Sequence, residues 1–348
     1  MAVVGCGSWA THAHLPAIAS DPRAQLVAVV DTDADARIHA QRSFGGPRAF
    51  ASVPEMLDQT EVDAAVVAVP HAAHAPAALA LIEAGAHVLI EKPMVINPSD
   101  GRRILVAASH HAVEVVVGYT WHYNRQVMEL RRAILGGAIG DVEFTSCLFG
   151  STVREYYRGH PDAYDLGYVR QPAKTTYSDP KLSGGGQGQA QLTHAAALLF
   201  HLTGLRPQSL SATTESFGLA VDLADALAIR FDNGSIGVMG STGGVLFGHR
   251  EVLELRIFGT EGHVTFDVMQ GQAAIHRKAG QIDELPPLPP DDRYPMYEPA
   301  RNLIEIAARG AANLSPGSLG LVVVELLDAM YRSSRADMAP VSVAAERR

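Results

Sequence analysis

Cysteine is almost absent: Cys6 and Cys147 are the only two in 348 residues. No disulfide framework can be built from them, and a reducing, cytoplasmic compartment is expected. Basic runs are missing too. The 28 Lys and Arg are scattered and outnumbered by 37 Asp and Glu, for a formal net charge of -9, which argues against nucleic acid or an anionic membrane surface as partner. No uninterrupted apolar run approaches the roughly 20 residues that cross a bilayer, and the start of the chain has neither a charged n-region nor a cleavage site. What remains is a chain 47% hydrophobic, long enough for two domains with separate cores. A small molecule is the partner class left.

The first half alternates β-branched runs with Ala-rich stretches. AVVG at 2–5, LVAVVD at 26–31, AAVVAV at 64–69, HVLI at 87–90 and EVVVG at 114–118 are apolar throughout, so both faces of each strand are expected to be buried. Helices are expected between them, over Ala75 to Ala84 closed by Gly85, and after Ser99 and Asp100 as N-caps. The pattern predicts a doubly wound parallel sheet between two helical layers.

The first strand runs into Gly5-Cys6-Gly7-Ser8-Trp9-Ala10, which fits G-x-G-x-x-G/A at a strand-to-helix turn. Gly5 permits the turn, Gly7 lets the backbone approach a pyrophosphate, and the helix N-terminus offers free N–H groups. The next strand ends in Asp31, followed by Thr32, where a carboxylate accepts hydrogen bonds from ribose hydroxyls. Asp31 and Asp33 would repel a 2′-phosphate, so NAD is favoured over NADP, although Arg37 and Arg42 stand nearby.

Together with VVDTDADAR and VPHAAHAPAALALIEAGAHVLIEKPM, this turn resembles the Gfo/Idh/MocA oxidoreductases, the glucose-fructose oxidoreductase and inositol dehydrogenase relatives. The likeness continues through GYTWHYN, the GGG segment, FDNGSIGVM and LRIFGTEGHVTFD. It implies an NAD-binding Rossmann domain, taken as 1–120, and a second α/β domain, 121–348, whose open, mostly antiparallel sheet carries the substrate site and often an oligomer interface, here in a homodimer or homotetramer. Hairpin signals at Asn233-Gly234 and Thr260-Glu261-Gly262 agree independently with antiparallel strands. The resemblance also puts Pro70, His74, Glu91 and Lys92 at the nicotinamide half of the cofactor.

Lys92 follows a buried strand at its C-terminal end, where open α/β sheets bind ligands, and can stabilise a developing alkoxide. His194 is the candidate proton carrier, its ordinary pKa of about 6.5 suiting acid/base work on an alcohol. A helix from about Ala190 to Leu202, closed by Gly204, places Gln187, Gln191, His194, Leu198 and His201 on one stripe, with Gln191 able to orient a hydroxyl or the imidazole. His201 reads as a packed or surface histidine. In the family an aspartate usually precedes the histidine by four residues; this chain has Ala190 there. The glycines of GGGQGQAQLTH are expected to let backbone approach substrate closely. His12 and His14 look like an N-terminal helix near the cofactor. His71 and His74 lack further ligands at metal spacing, so no metal is expected.

Residues 151–183 form a long segment without clean periodicity, carrying Tyr156, Tyr157, Tyr164, Tyr168 and Tyr177. With Trp121, His122 and Tyr123 they either line a sugar site or form an oligomer contact; of these, Trp121, His122, Tyr123, Tyr157 and Tyr177 join Gln191 as the substrate-contacting candidates. LPPLPPDDRYP at 285–295 reads as an exposed connection. The expected activity is hydride transfer between a secondary hydroxyl or ketone of a sugar, glycoside or cyclitol and nicotinamide. Two alternatives are glycoside cleavage through a transient keto-sugar on retained NAD, and a non-catalytic NAD-binding regulator.

Overall fold

A computed structural model of the chain describes residues 1–164 and 167–343; two positions of the 151–183 segment and the last five of the second expected domain lie outside the described residues. Strands β1 (Ala2–Val4), β2 (Ala28–Val30), β3 (Arg48–Phe50), β4 (Ala64–Val67), β5 (His87–Ile90) and β6 (Val115–Val117) form a parallel sheet in the order β3-β2-β1-β4-β5-β6. Their side chains alternate between two cores. Val4, Val30, Val67, Ile90 and Val117 face one, while Val3, Val29, Val66, Leu89 and Val116 face the other. Burial of each such side chain contributes roughly 1.5–3 kcal/mol, which is why the strands carry no polar face. The sheet is a doubly wound Rossmann type, with short β1 at its centre. β3 has no counterpart among the expected strands, since RAF at a sheet edge carries almost no periodic signal.

Helix boundaries follow capping chemistry. The helix Pro98–His111 starts from Asn97, whose side chain accepts the Asp100 N–H, not from Ser99 or Asp100. The helix His74–Glu83 ends two residues before Gly85, whose φ of +84° closes the turn.

The chain leaves the first sheet through the turn Thr120–Tyr123 and the helix Arg125–Leu135. The second sheet holds β7 (Val142–Gly150), β8 (Pro207–Glu215), β9 (Ala224–Phe231), β10 (Ile236–Thr242), β11 (Val252–Gly259), β12 (Gly262–Asp267), β13 (Gln272–Arg277), β14 (Ile282–Glu284) and β15 (Val341–Ser342). Its order is β14-β13-β12-β11-β7-β10-β9-β8-β15. Only β7 and β10 run parallel; the other neighbours are antiparallel. Asn233-Gly234 and Thr260-Glu261 make the expected tight turns between β9 and β10 and between β11 and β12. One face packs Cys147, Phe149, Leu227, Ile229, Leu253 and Leu255 into a core shared with the helices Thr193–Thr203 and Gly317–Arg335. The other leaves Leu148, Ile236 and Val238 exposed.

The last helices return to the first sheet. Leu303 and Ile304 of the helix Glu298–Arg309 cover one of its faces, so the C-terminal chain also completes the Rossmann core.

Candidate active site

The turn after β1 begins at Gly5, with φ +92°, where a Cβ would lie 2.3 Å from the Ala68 carbonyl oxygen. Gly7 differs, because among the described residues beyond its own chain neighbours no heavy atom lies within 4 Å of the place its Cβ would take. That open space above a helix N-terminus fits a pyrophosphate. Asp31 stands beside it, accepting the Cys6 N–H at 2.7 Å and the Asp33 N–H at 2.9 Å. The residues present fit a dinucleotide, with Gly7, Ser8, Trp9, Asp31 and Thr32 all lining one cavity of about 1340 Å³. Ala10 does not line it; its side chain is packed into the core.

Glu91 and Lys92 lie at the C-terminal end of β5, at the floor of the same cavity. Glu91 accepts a hydrogen bond from His14 Nε2 at 2.8 Å and another from the Lys92 N–H at 3.1 Å. Burial would push this carboxyl up, but His14 and the Lys92 charge outweigh it and hold Glu91 ionised. Gly118 makes the room: a Cβ there would fall 2.5 Å from Glu91 Oε1. His74, fully buried, faces the Pro93 carbonyl with Nδ1 and the Val69 carbonyl with Nε2, each at 2.9 Å, and so pins the turn that presents Lys92. His71 Nδ1 meets the Ser183 carbonyl at 2.8 Å. Pro70, His71 and His74 also line the cavity.

The opposite wall comes from the GGGQGQAQLTH segment. Instead of one helix from Ala190, a π-helical turn over Gly188–Leu192 leads into the α-helix Thr193–Thr203, closed by left-handed Gly204. Gln191 and His194 face the cavity, whereas Gln187 turns away to Ser151 and Tyr157. Lys92 Nζ donates to the Ala190 carbonyl at 3.1 Å. The backbone therefore supplies an oxygen to Lys92 at the position where the resemblance leads us to expect an aspartate side chain, and the Ala190 methyl packs with Val153, Tyr157, Val221 and Leu223. Burial pushes the Lys92 ammonium down while Glu91 draws it back up. His194 lies well below the usual histidine range because of burial, then the charges of Lys92 and His122. It is neutral at physiological pH and able to accept a proton.

The glycines serve a different contact from the one expected. A Cβ at Gly185 would sit 2.2 Å from the Tyr331 hydroxyl, one at Gly186 2.0 Å from the Asp222 carbonyl oxygen, and one at Gly188 2.5 Å from Met330 Cε. They permit close packing on the 317–335 helix and on Asp222, not on a ligand. The Asp222 carboxylate binds the segment in place, accepting from Gly186 N at 2.8 Å, Gly188 N at 2.7 Å and the Tyr331 hydroxyl at 2.9 Å.

Trp121 lines the cavity with its ring 5.2 Å from that of His194. His122 and Tyr123 do not line it. His122 is buried between Ser315 Oγ at 3.0 Å and the Ala197 carbonyl at 3.3 Å and stacks on His201, and the Tyr123 hydroxyl donates to Asn302. Consecutive residues of the 120–123 turn point in different directions, so one aromatic run divides between cavity and core. All five tyrosines of the 151–183 segment line the cavity, Tyr157 and Tyr177 among them. Burial raises Tyr156, Tyr157 and Tyr177 above the ordinary phenol range, keeping them neutral donors. Arg170 of the same segment reaches Asp33 at 3.2 Å, and Tyr168 packs edge-on against His12 at 4.9 Å. The proline-rich connection is less exposed than expected, since Leu285 and Leu288 are buried and Pro290, Arg293 and Tyr294 line the cavity. Asp222, Tyr294 and Glu251 are site residues that sequence reasoning missed, and of His14 it gave the place near the cofactor but not the pairing with Glu91.

A Rossmann sheet with a dinucleotide cradle, joined to a second sheet across a lysine- and histidine-bearing cavity, defines a nicotinamide-dependent oxidoreductase. Residues 1–119 match the NAD-binding Rossmann-fold domain of this oxidoreductase family, and 127–265 match the GFO/IDH/MocA C-terminal domain. The chain belongs to the Gfo/Idh/MocA family. It is 27% identical over 288 residues to a dTDP-3,4-didehydro-2,6-dideoxy-alpha-D-glucose 3-reductase of Streptomyces violaceoruber, covering 81% of this chain and 76% of that one. It is 26% identical over 334 residues to an inositol 2-dehydrogenase of Rhizobium meliloti, covering 92% of each. The crystal structure of GenD2 from gentamicin A biosynthesis in complex with NAD superposes with a TM-score of 0.80 at 25% identity, covering 99% of this chain and 96% of that one.

Proposed function

We propose that the protein oxidises a secondary hydroxyl of a sugar, glycoside or cyclitol, or reduces the corresponding ketone. The observation that carries this reading is the convergence of Lys92, Gln191 and His194 on one cavity continuous with the dinucleotide cradle. Bound NAD supplies the hydride acceptor. His194, neutral and buried, accepts the hydroxyl proton; the Lys92 ammonium faces the negative charge that develops on oxygen; Gln191 holds a neighbouring hydroxyl. His14 and Asp222 are positioning residues, the first through Glu91 and the second through the backbone that carries Gln191 and His194. The relatives named for a sugar reductase and an inositol dehydrogenase support this substrate class.

The clasp of Arg170 on Asp33 and of Tyr168 on His12 favours a second reading, in which NAD stays bound and is reduced and reoxidised within one cycle, as in glycoside cleavage through a keto-sugar. The free, buried Cys6 and Cys147 support a cytoplasmic protein. The exposed apolar side chains on the outer face of the second sheet support a homodimer or homotetramer built on that face. NADH formation from NAD over a panel of aldoses, glycosides and inositols tests the function; silence across the panel, without glycoside cleavage, contradicts it.

A further inference from the structure

Glu251 lines the cavity just before β11, where it accepts the Thr152 N–H at 2.7 Å. Burial pushes its carboxyl above the ordinary range, and only that N–H draws it back; no ammonium or guanidinium contributes. The cations of the cavity are engaged elsewhere. Lys92 is held by the Ala190 carbonyl, Arg170 by Asp33, and Arg293 by the Leu288 and Met269 carbonyls.

Trp121 stands 5.2 Å from His194 and Tyr294 stands 5.0 Å from Trp121, and Trp121, Tyr294, Tyr168 and Glu251 all line the same cavity. Glu251 shares this cavity with His194, and its chain neighbours Phe247 and His249 line it as well.

We propose that Glu251 recognises an ammonium group, and that the substrate is an amino sugar glycoside or aminocyclitol. The inference rests on the reading of this cavity as that of a sugar or cyclitol oxidoreductase. A carboxylate withdrawn from water without a counter-charge is costly, and a ligand ammonium replaces the lost hydration with a charge-assisted hydrogen bond. Tyr164, Tyr168 and Phe247, which line the same cavity, add ring faces that attract a cation. Among the described residues that line the cavity every lysine and arginine is already engaged, which disfavours the diphosphate of a nucleotide sugar.

Calorimetry on the NAD-loaded protein tests this, with the two-ring aminoglycoside neamine, its fully N-acetylated form, maltose and UDP-glucose as probes. Neamine is expected to bind at least about tenfold more tightly than its acetylated form or maltose, and Glu251→Gln, which keeps an oxygen for the Thr152 N–H, is expected to remove that preference. The NAD affinity of the variant reports whether it is folded. Equal binding of neamine and its acetylated form, tightest binding of UDP-glucose, or an undiminished preference in Glu251→Gln overturns the proposal. NADH formation from neutral sugars without an amine preference defeats this inference and leaves the oxidoreductase reading intact. An amine preference with no NADH from any sugar does the reverse.

Discussion

Asp222 carries more of the site than its place in the sequence suggests. It is nearly buried, and three donors converge on its carboxylate from two segments more than 30 residues away. Asp222→Ala leaves Gly186 N, Gly188 N and the Tyr331 hydroxyl without a partner, at an expected cost of about 2–4 kcal/mol. Urea unfolding checks this, and a loss under about 0.5 kcal/mol would contradict it. The motif residues Gly5, Gly7, Asp31, Lys92, Gln191 and His194 were legible because each belongs to a short pattern with its own physical reason. Asp222, Glu251 and Tyr294 were not, since their partners are contributed by distant segments. His14 lies 77 residues from Glu91, and no local signal announces that pair. His122 misled for the opposite reason: it sits beside Trp121 in sequence but faces Ser315.

At the scale of elements, periodicity was the reliable guide. The parallel strands read as continuous apolar runs and the hairpins as Asn-Gly and Glu-Gly turns, while three-residue β3 offered no period to read. The π-helical turn at Gly188–Leu192 was equally silent, because one extra residue per turn depends on packing against Asp222 and Tyr331 and not on residue preference. The second sheet presents Phe144, Leu148, Ile236 and Val238 on its outer face, with Ile236 directly opposite Phe144. If that face joins two copies, Val238→Lys plants a charge in the interface without disturbing the inner core. Sedimentation is expected to show monomers for the variant and a larger species for the parent; the same mass for both would contradict the assignment.

At the scale of the whole molecule, histidines buried in the neutral form predict a pH dependence of stability. His71 is held at about 3 and His201 at about 4, in both cases chiefly by burial, against an ordinary 6.5. Both are neutral when folded, whereas the unfolded chain takes up protons below about pH 6.5. Unfolding then binds protons, so stability falls as pH drops from about 6.5 towards about 4, by up to about 1.4 kcal/mol per pH unit for each histidine. Thermal melts should decline over that window and level off above it; a flat profile would contradict neutral burial.

The central claim is that Lys92 and His194 act on a carbinol presented to a bound nicotinamide. Stopped-flow absorbance of the NAD-loaded protein, mixed with amino and neutral glycosides and inositols, tests it most directly, since NADH appears in the first turnover whether or not it is later released. The account predicts such a rise for the parent protein, and a rate reduced about a hundredfold or more in Lys92→Met and His194→Asn with NAD affinity nearly unchanged. No NADH with any substrate, or an undiminished rate in Lys92→Met, would contradict it.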